Sequence, residues 1–398
     1  MRICAPGPRL PLESPPARLR VLQLGMGWFA QQPGGLNRYY ADLLAALPAA
    51  GIEPRGLVCA QAPLETDAVL PVAAPRESLI RRWLALRLAV ARELADAEPA
   101  VVAAHFALYA RPVLNLVDGL PLVVHFHGPW AEECQVEGSS RLATLARFHV
   151  ESSVYRRATA IITLSQAFKN LLIRRYRLQA ERIRVAGGGV DVHHFAVALS
   201  RQQARASLGW PADRPIALAV RRLARRMGLE DLVDAAGRLR RSVPDALVLI
   251  AGAGRLSEQL HERIRSLGLG QHVRLLGFLP DAQLPLAYRA ADVTIVPSVA
   301  LEGFGLTAAE SLAAGTPPLV TPVGGLPEVV APLAPCLVLE SSGVRAVADG
   351  LADALRGRMP LPDAERCRQY AARHFAWDAV AARVAAVYRQ AAGAGDHP

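Results

Sequence analysis

Three hundred and ninety-eight residues, 52% of them hydrophobic and 20% charged, suffice for two or three domains with sizeable cores and exclude intrinsic disorder as the main state. Basic residues outnumber acidic ones 45 to 35, yet only one of the 45 is a lysine, Lys169. It lies in a helical pattern with no glycine before it, which removes Schiff-base chemistry and a phosphate loop ending in Gly-Lys-Ser/Thr.

The chain opens on a Pro-rich leader over residues 1–18 that lacks the apolar run of a signal peptide. No later stretch reaches about 18 uninterrupted apolar residues. Five cysteines, at 4, 59, 134, 336 and 367, are odd in number and widely spaced, so neither a disulfide framework nor a zinc site is indicated. A cytoplasmic protein is expected, or one resting peripherally on the inner face of the cell membrane.

Strands are predicted at Leu19–Gly25, Gly56–Ala60, Ala100–Ala104, Leu120–His125 and Ala160–Leu164. Between them fall helices, including Gly35–Leu47, residues 76–97 and Ser165–Tyr176, a spacing that fits parallel strands with crossover helices. Val185-Ala186-Gly187-Gly188-Gly189-Val190-Asp191 reads as a hinge. A second strand series follows at Ile216–Val220, Ala246–Ala251, Val273–Leu276, Val293–Pro297, Pro318–Thr321 and Cys336–Leu339. The fold class is therefore α/β, with two Rossmann-like doubly wound domains whose strand ends face each other across a cleft suited to a nucleotide-type ligand. The boundaries are placed at 19–190, 191–375 and a final helix over 376–392.

Two motifs are discounted. Gly25-Met26-Gly27-Trp28-Phe29-Ala30 matches a loose dinucleotide fingerprint, but the second strand ends Val58-Cys59-Ala60-Gln61, without the acidic residue that would hold a ribose. His261-Glu262-Arg263 opens like a zinc-protease helix and lacks the second histidine.

The informative segment is Val293-Thr294-Ile295-Val296-Pro297-Ser298 running into Leu301-Glu302-Gly303-Phe304-Gly305-Leu306-Thr307-Ala308-Ala309-Glu310. A buried strand feeds a glycine turn that opens a helix, aiming unpaired N–H groups and the positive dipole end into the cleft, where a diphosphate fits. Glu310, about five residues beyond Gly305 and roughly 7 to 8 Å along the axis, suits a ribose, whereas Glu302 faces the far end, where a sugar would lie. The plainer alternative makes both acids ordinary helix-start residues.

Glu302 and Glu310 with Gly303-Phe304-Gly305 between them resemble the signature of family 4 retaining glycosyltransferases of the GT-B fold. Gly34-Gly35-Leu36-Asn37-Arg38 resembles that family's glycine loop, His125-Phe126-His127-Gly128 its His-Gly segment, Gly188-Gly189-Val190-Asp191 its interdomain linker and Arg221-Arg222-Leu223 its Arg-Leu motif. Gly324-Gly325-Leu326-Pro327-Glu328 is similar to the loop after its donor site. The resemblance implies that the N-terminal domain takes the acceptor, the C-terminal domain takes the nucleotide sugar, and the last helix returns to the N-terminal domain. It implies that Glu302 binds the donor sugar, that Gly303, Phe304, Gly305 and Leu306 hold sugar and diphosphate through their N–H groups, and that Glu310 binds the ribose. His127 would lie by the donor sugar and Gly35 by the phosphates. His105 and His125, also at strand ends, have an equal claim to polarity. Arg222 would bind the diphosphate, but the lysine expected five residues later is Met227, and whether Arg226 replaces it is left open. The reaction would be hexosyl transfer from a UDP- or GDP-sugar to a hydroxyl of a glycan, lipid or secondary metabolite. It would proceed on the front face, with neither a metal ion nor another cofactor.

Other readings are a polyanion or nucleic-acid binder, suggested by a pI near 9.9, and a nucleotide-sugar binder or isomerase that transfers nothing. Scattered arginines and the absence of any nucleic-acid module speak against nucleic acid as a partner. The basic amphipathic helix over 76–97, with Arg81, Arg82, Arg87 and Trp83, fits weak contact with an anionic membrane, or a plain solvated helix face.

Overall fold

The computed structural model describes residues 18–96 and 98–393. The leader expected over 1–18 lies, apart from Arg18, outside the described residues, as do Cys4 and Ala97. The first sheet contains β1 (Leu19–Gly27), β2 (Ile52–Cys59), β3 (Val69–Ala73), β4 (Val101–Ala104), β5 (Leu122–Phe126), β6 (Ala160–Thr163) and β7 (Ile183–Val185), in the order β3-β2-β1-β4-β5-β6-β7. The second contains β8 (Ile216–Val220), β9 (Leu247–Ala251), β10 (Val273–Gly277), β11 (Val293–Val296) and β12 (Pro318–Val320), in the order β10-β9-β8-β11-β12. Every pairing is parallel. Strand order reverses between β1 and β4 and again between β8 and β11, and such switch points open a crevice at the strand C-termini. The two doubly wound domains expected from the sequence are present.

Four local expectations differ. β3 escapes a pattern reading because Pro71 interrupts it, and the sheet tolerates that proline because β3 is an edge strand. β7 is a three-residue edge strand that ends on Val185, the first residue of the expected hinge. The strand expected at Cys336–Leu339 is instead a 3-10 turn over Pro335–Leu337, after which only Val338 bridges β12. The helix expected over 76–97 spans Leu79–Asp96, because Glu77 folds back to accept from the N–H of Ala74.

The chain crosses between domains twice, side by side. Val190 bridges Ala376, and its N–H donates to the carbonyl of Phe375 at 2.8 Å. Gly189 is required there, since a Cβ would lie 2.4 Å from the Trp377 indole. Beyond this crossing, the helix Trp377–Gly393 packs Val380, Val384 and Tyr388 against Val21, Tyr39, Leu43 and Val123 of the first domain. At roughly 1.5 to 3 kcal/mol for each fully buried aliphatic side chain, Val380 and Val384 alone anchor the returning helix. The Tyr388 hydroxyl is also hydrogen-bonded to Nε2 of His125 at 2.7 Å, so the returning helix props a residue beside the cleft.

Candidate active site

The C-terminal wall of the cleft is built at the end of β11. Leu301 takes a positive φ of 52° and Gly305 one of 86°. That second turn launches the helix Leu306–Ala313 with Gly305 as its N-terminal cap. Thr294 of β11 fixes the helix by donating to the Ser311 hydroxyl, which donates on to the carbonyl of Thr316, both at 2.7 Å. Among the described residues the N–H groups of Phe304, Gly305, Leu306 and Thr307 have no acceptor. These free donors and the helix dipole make an anion site. The Phe304 side chain turns away into the core, edge-on to Phe375 at 5.4 Å, so only its backbone faces the site.

The two acids lie at opposite ends of this turn. Glu302 is paired with Arg221 and accepts from Ser298 Oγ at 3.0 Å. Burial pushes its carboxyl up, but Arg221, Arg226 and Ser298 outweigh that and hold it below the ordinary range. Glu310 is buried, accepts from Tyr288 OH at 2.7 Å and has Arg38 Nε at 4.0 Å. Burial raises its carboxyl, and Arg38 and Tyr288 offset the rise only in part.

The arginines divide differently from the sequence expectation. Arg222 is exposed, while its neighbour Arg221 is buried against Glu302. Arg226 donates to the carbonyl of Leu301 at 3.0 Å and pairs with Glu133 of the N-terminal domain at 3.3 Å. It acts as a strut across the cleft.

On the opposite wall Gly35 begins the helix Gly35–Ala46 and faces Leu306, whose Cδ1 would be in ordinary contact with a Cβ there, at 3.5 Å. His127 follows β5, with Nε2 3.4 Å from His105 Nδ1 and its ring edge-on to Tyr39 at 4.8 Å. His105 and His125 stack at 4.1 Å below it. The nitrogens of the three histidines come within 4.8 Å of one another, and hydrogen bonds to Gln23 and Tyr388 hold two of the rings. Burial drives all three imidazoles toward neutrality, with His127 pushed down to about 4. The structure thus brings Gly35, His127, Glu302, Gly303, Gly305, Leu306, Glu310 and Arg226 to one cleft, with Arg222 at its surface.

Several residues on the cleft were not singled out from sequence. Arg38 crosses to Asp281 and approaches Glu310. Glu137 accepts from the N–H groups of Arg225 and Arg226, at 3.4 Å each. Glu328 caps the helix Gln166–Tyr176 of the other domain, accepting from Gln166 N at 2.7 Å and Ala167 N at 2.8 Å. The signal for Arg221 was its place in the Arg-Leu motif, as the first residue beyond the end of β8 at a switch point. The interdomain pairs offered none. The discounted glycines of β1 serve packing, since a Cβ on Gly25 would lie 2.7 Å from the Tyr40 ring.

Residues 33–194 match the family model "Glycosyltransferase Family 4" and residues 200–374 match "Glycosyl transferases group 1". The glycogen synthase of Mycobacterium tuberculosis is 30% identical over 93% of this chain and 94% of its own. Among solved structures, sucrose-phosphate synthase from Thermosynechococcus elongatus is similar with a TM-score of 0.77 and 25% identity, over 95% of this chain and all of that one. HepE from Anabaena, solved with UDP and glucose, has the same fold at a TM-score of 0.75 and 21% identity, over 94% of this chain and all of its own.

Proposed function

The chain belongs to glycosyltransferase family 4, and from that premise we propose that it moves a hexosyl group from a UDP- or GDP-sugar to a hydroxyl of a glycan, lipid or secondary-metabolite acceptor, with retention of configuration. The observation that carries this reading is the row of free N–H groups opening the helix at Leu306, with Glu302 at one end and Glu310 at the other. A diphosphate resting on those donors leaves Glu310 for the ribose and Glu302 for the sugar hydroxyls. The N-terminal wall, which sets His127 by the donor sugar and Gly35 by the phosphates, then receives the acceptor.

In this scheme the protein stabilises charge growing on the departing diphosphate and orients the acceptor. The helix N-terminus and arginines, Arg222 among them, supply the positive field. On the front-face route the departing phosphate oxygen takes the acceptor's proton as the new glycosidic bond forms. No protein base is required, which suits a neutral His127. No metal ion or other cofactor enters the scheme.

Calorimetry with a panel of UDP- and GDP-sugars, in salt high enough to suppress polyanion binding, is the test. One donor class is expected to bind at micromolar to about millimolar concentration and to be consumed in the presence of an acceptor. Binding by neither class would sink the proposal. Isomerisation of a bound donor, with no acceptor used, would replace it with the non-transferring reading.

Weak contact with an anionic membrane is proposed through the helix Leu79–Asp96. Among the described residues no helix is long and apolar enough to cross a membrane. This one exposes Ile80, Leu84 and Leu88, one turn apart, at 69%, 56% and 61%, a contiguous stripe suited to burial at a lipid surface. Of the arginines expected to face lipid, Arg82 is tied inward to Tyr109 OH at 2.6 Å and Arg87 to Asn115 at 2.7 Å. That leaves Arg76, Arg81 and Arg92 as the exposed basic groups. Sedimentation with phosphatidylglycerol vesicles is expected to fall at least tenfold when Ile80, Leu84 and Leu88 are all changed to Ser. Equal sedimentation of variant and parent would remove the membrane from the account.

A further inference from the structure

Arg221 is the first residue past the end of β8, and its side chain runs back into the protein, 6% exposed. Its Nη2 lies 2.6 Å from Ser298 Oγ and 2.8 Å from Met227 Sδ and is paired with Glu302. Its Nη1 is 3.3 Å from the hydroxyl of Thr307, the second residue of the helix that begins at Leu306. The guanidinium therefore fills the space between Glu302 and the free N–H groups. Its Nε is buried and has no acceptor among the described residues. A guanidinium carries five donors, and with Nη1 and Nη2 partnered as above the Nε–H is left unused.

Resting on the donor-site reading above, we propose that Arg221 supplies the buried cation of the diphosphate site, taking the place that a long cationic side chain at position 227 would fill. Met227 is its counterpart. The thioether ends against the guanidinium, so an ammonium at 227 would meet a like charge at contact distance. The two positions thus hold one cation between them, delivered from 221. Arg226 is committed elsewhere, bound to Leu301 and to Glu133 across the cleft. The planar fork of Arg221 can hold Glu302 and a phosphate oxygen together, which a point charge does less well.

The test is calorimetric titration of UDP and GDP against UMP and GMP. Arg221→Met is expected to weaken binding of the preferred diphosphate by roughly 10- to 150-fold, with a much smaller effect on the monophosphate. Met227→Lys should also weaken it, through like-charge repulsion. Arg221→Met strands the Glu302 carboxylate, so the deciding variant is R221M/M227K, in which the new ammonium re-pairs Glu302. This double variant should recover at least a tenth of the parental diphosphate affinity. If R221M binds the diphosphate as tightly as the parent, or if the folded double variant binds no better than M227K, the assignment is overturned. A parent that binds neither UDP nor GDP would instead overturn the donor-site reading itself.

Discussion

Glu310→Gln is expected to lower donor affinity by about 10- to 100-fold, and Glu302→Gln to lower kcat/KM by about 100- to 1000-fold. The sizes differ because the carboxylates are held differently. Glu310 is held by a neutral phenol, Tyr288, with the Arg38 guanidinium farther off at 4.0 Å, and its amide analogue keeps one acceptor oxygen, so on the proposed donor-site reading the loss is the charged share of its bonds to the ribose. Glu302 also balances Arg221 in a nearly buried pair, and removing one partner of such a pair leaves an uncompensated charge, at a cost of about 3 to 5 kcal/mol. E302Q should therefore lose stability as well as turnover. The control is R221M/E302Q, which removes both charges. It should regain much of the thermal stability and none of the activity. Steady-state kinetics with the preferred donor read the outcome, and turnover in an E302Q/E310Q variant within threefold of the parent would remove the two acids from the mechanism.

The parts of this site that were legible in the sequence are those written in one stretch of chain. A strand, a glycine turn and a helix start are local features, so the run from Glu302 to Glu310 carries its own geometry. What was not legible depends on direction and distance. Arg221 and Arg222 are equivalent as letters, yet one turns inward to Glu302 and the other to solvent. Arg38 and Asp281, 243 residues apart, meet only because two sheets face each other, and Glu133 meets Arg226 for the same reason. The fold shows a similar division. The central strands, buried on both faces, read as short apolar runs. The edge strands β3 and β7 did not, because an edge tolerates Pro71 in one case and needs only three residues in the other.

Gly324→Ala is expected to abolish most of the transfer activity without touching a ligand. Gly324 has a φ of 57°, and a Cβ there would lie 1.9 Å from the backbone oxygen of Glu302. The next residue, Gly325, donates its N–H to that same oxygen at 2.9 Å. The loop thus works as a template against which Glu302 and Gly303 are set. An added methyl cannot be absorbed by a rotamer change, because the opposing atom is main chain, so Glu302 must move by an ångström or more. A displacement of that size at a reacting centre costs about 100-fold in rate. Backbone strain alone does not give this result, and Gly357→Ala separates the two effects. Gly357 has a similar φ of 68° with open space where its Cβ would go, so its alanine variant carries only the left-handed penalty of about 1 to 2 kcal/mol and should keep parental kcat/KM. Equal loss of activity in the two variants would show that the template contact with Glu302 does not set the geometry of the donor site.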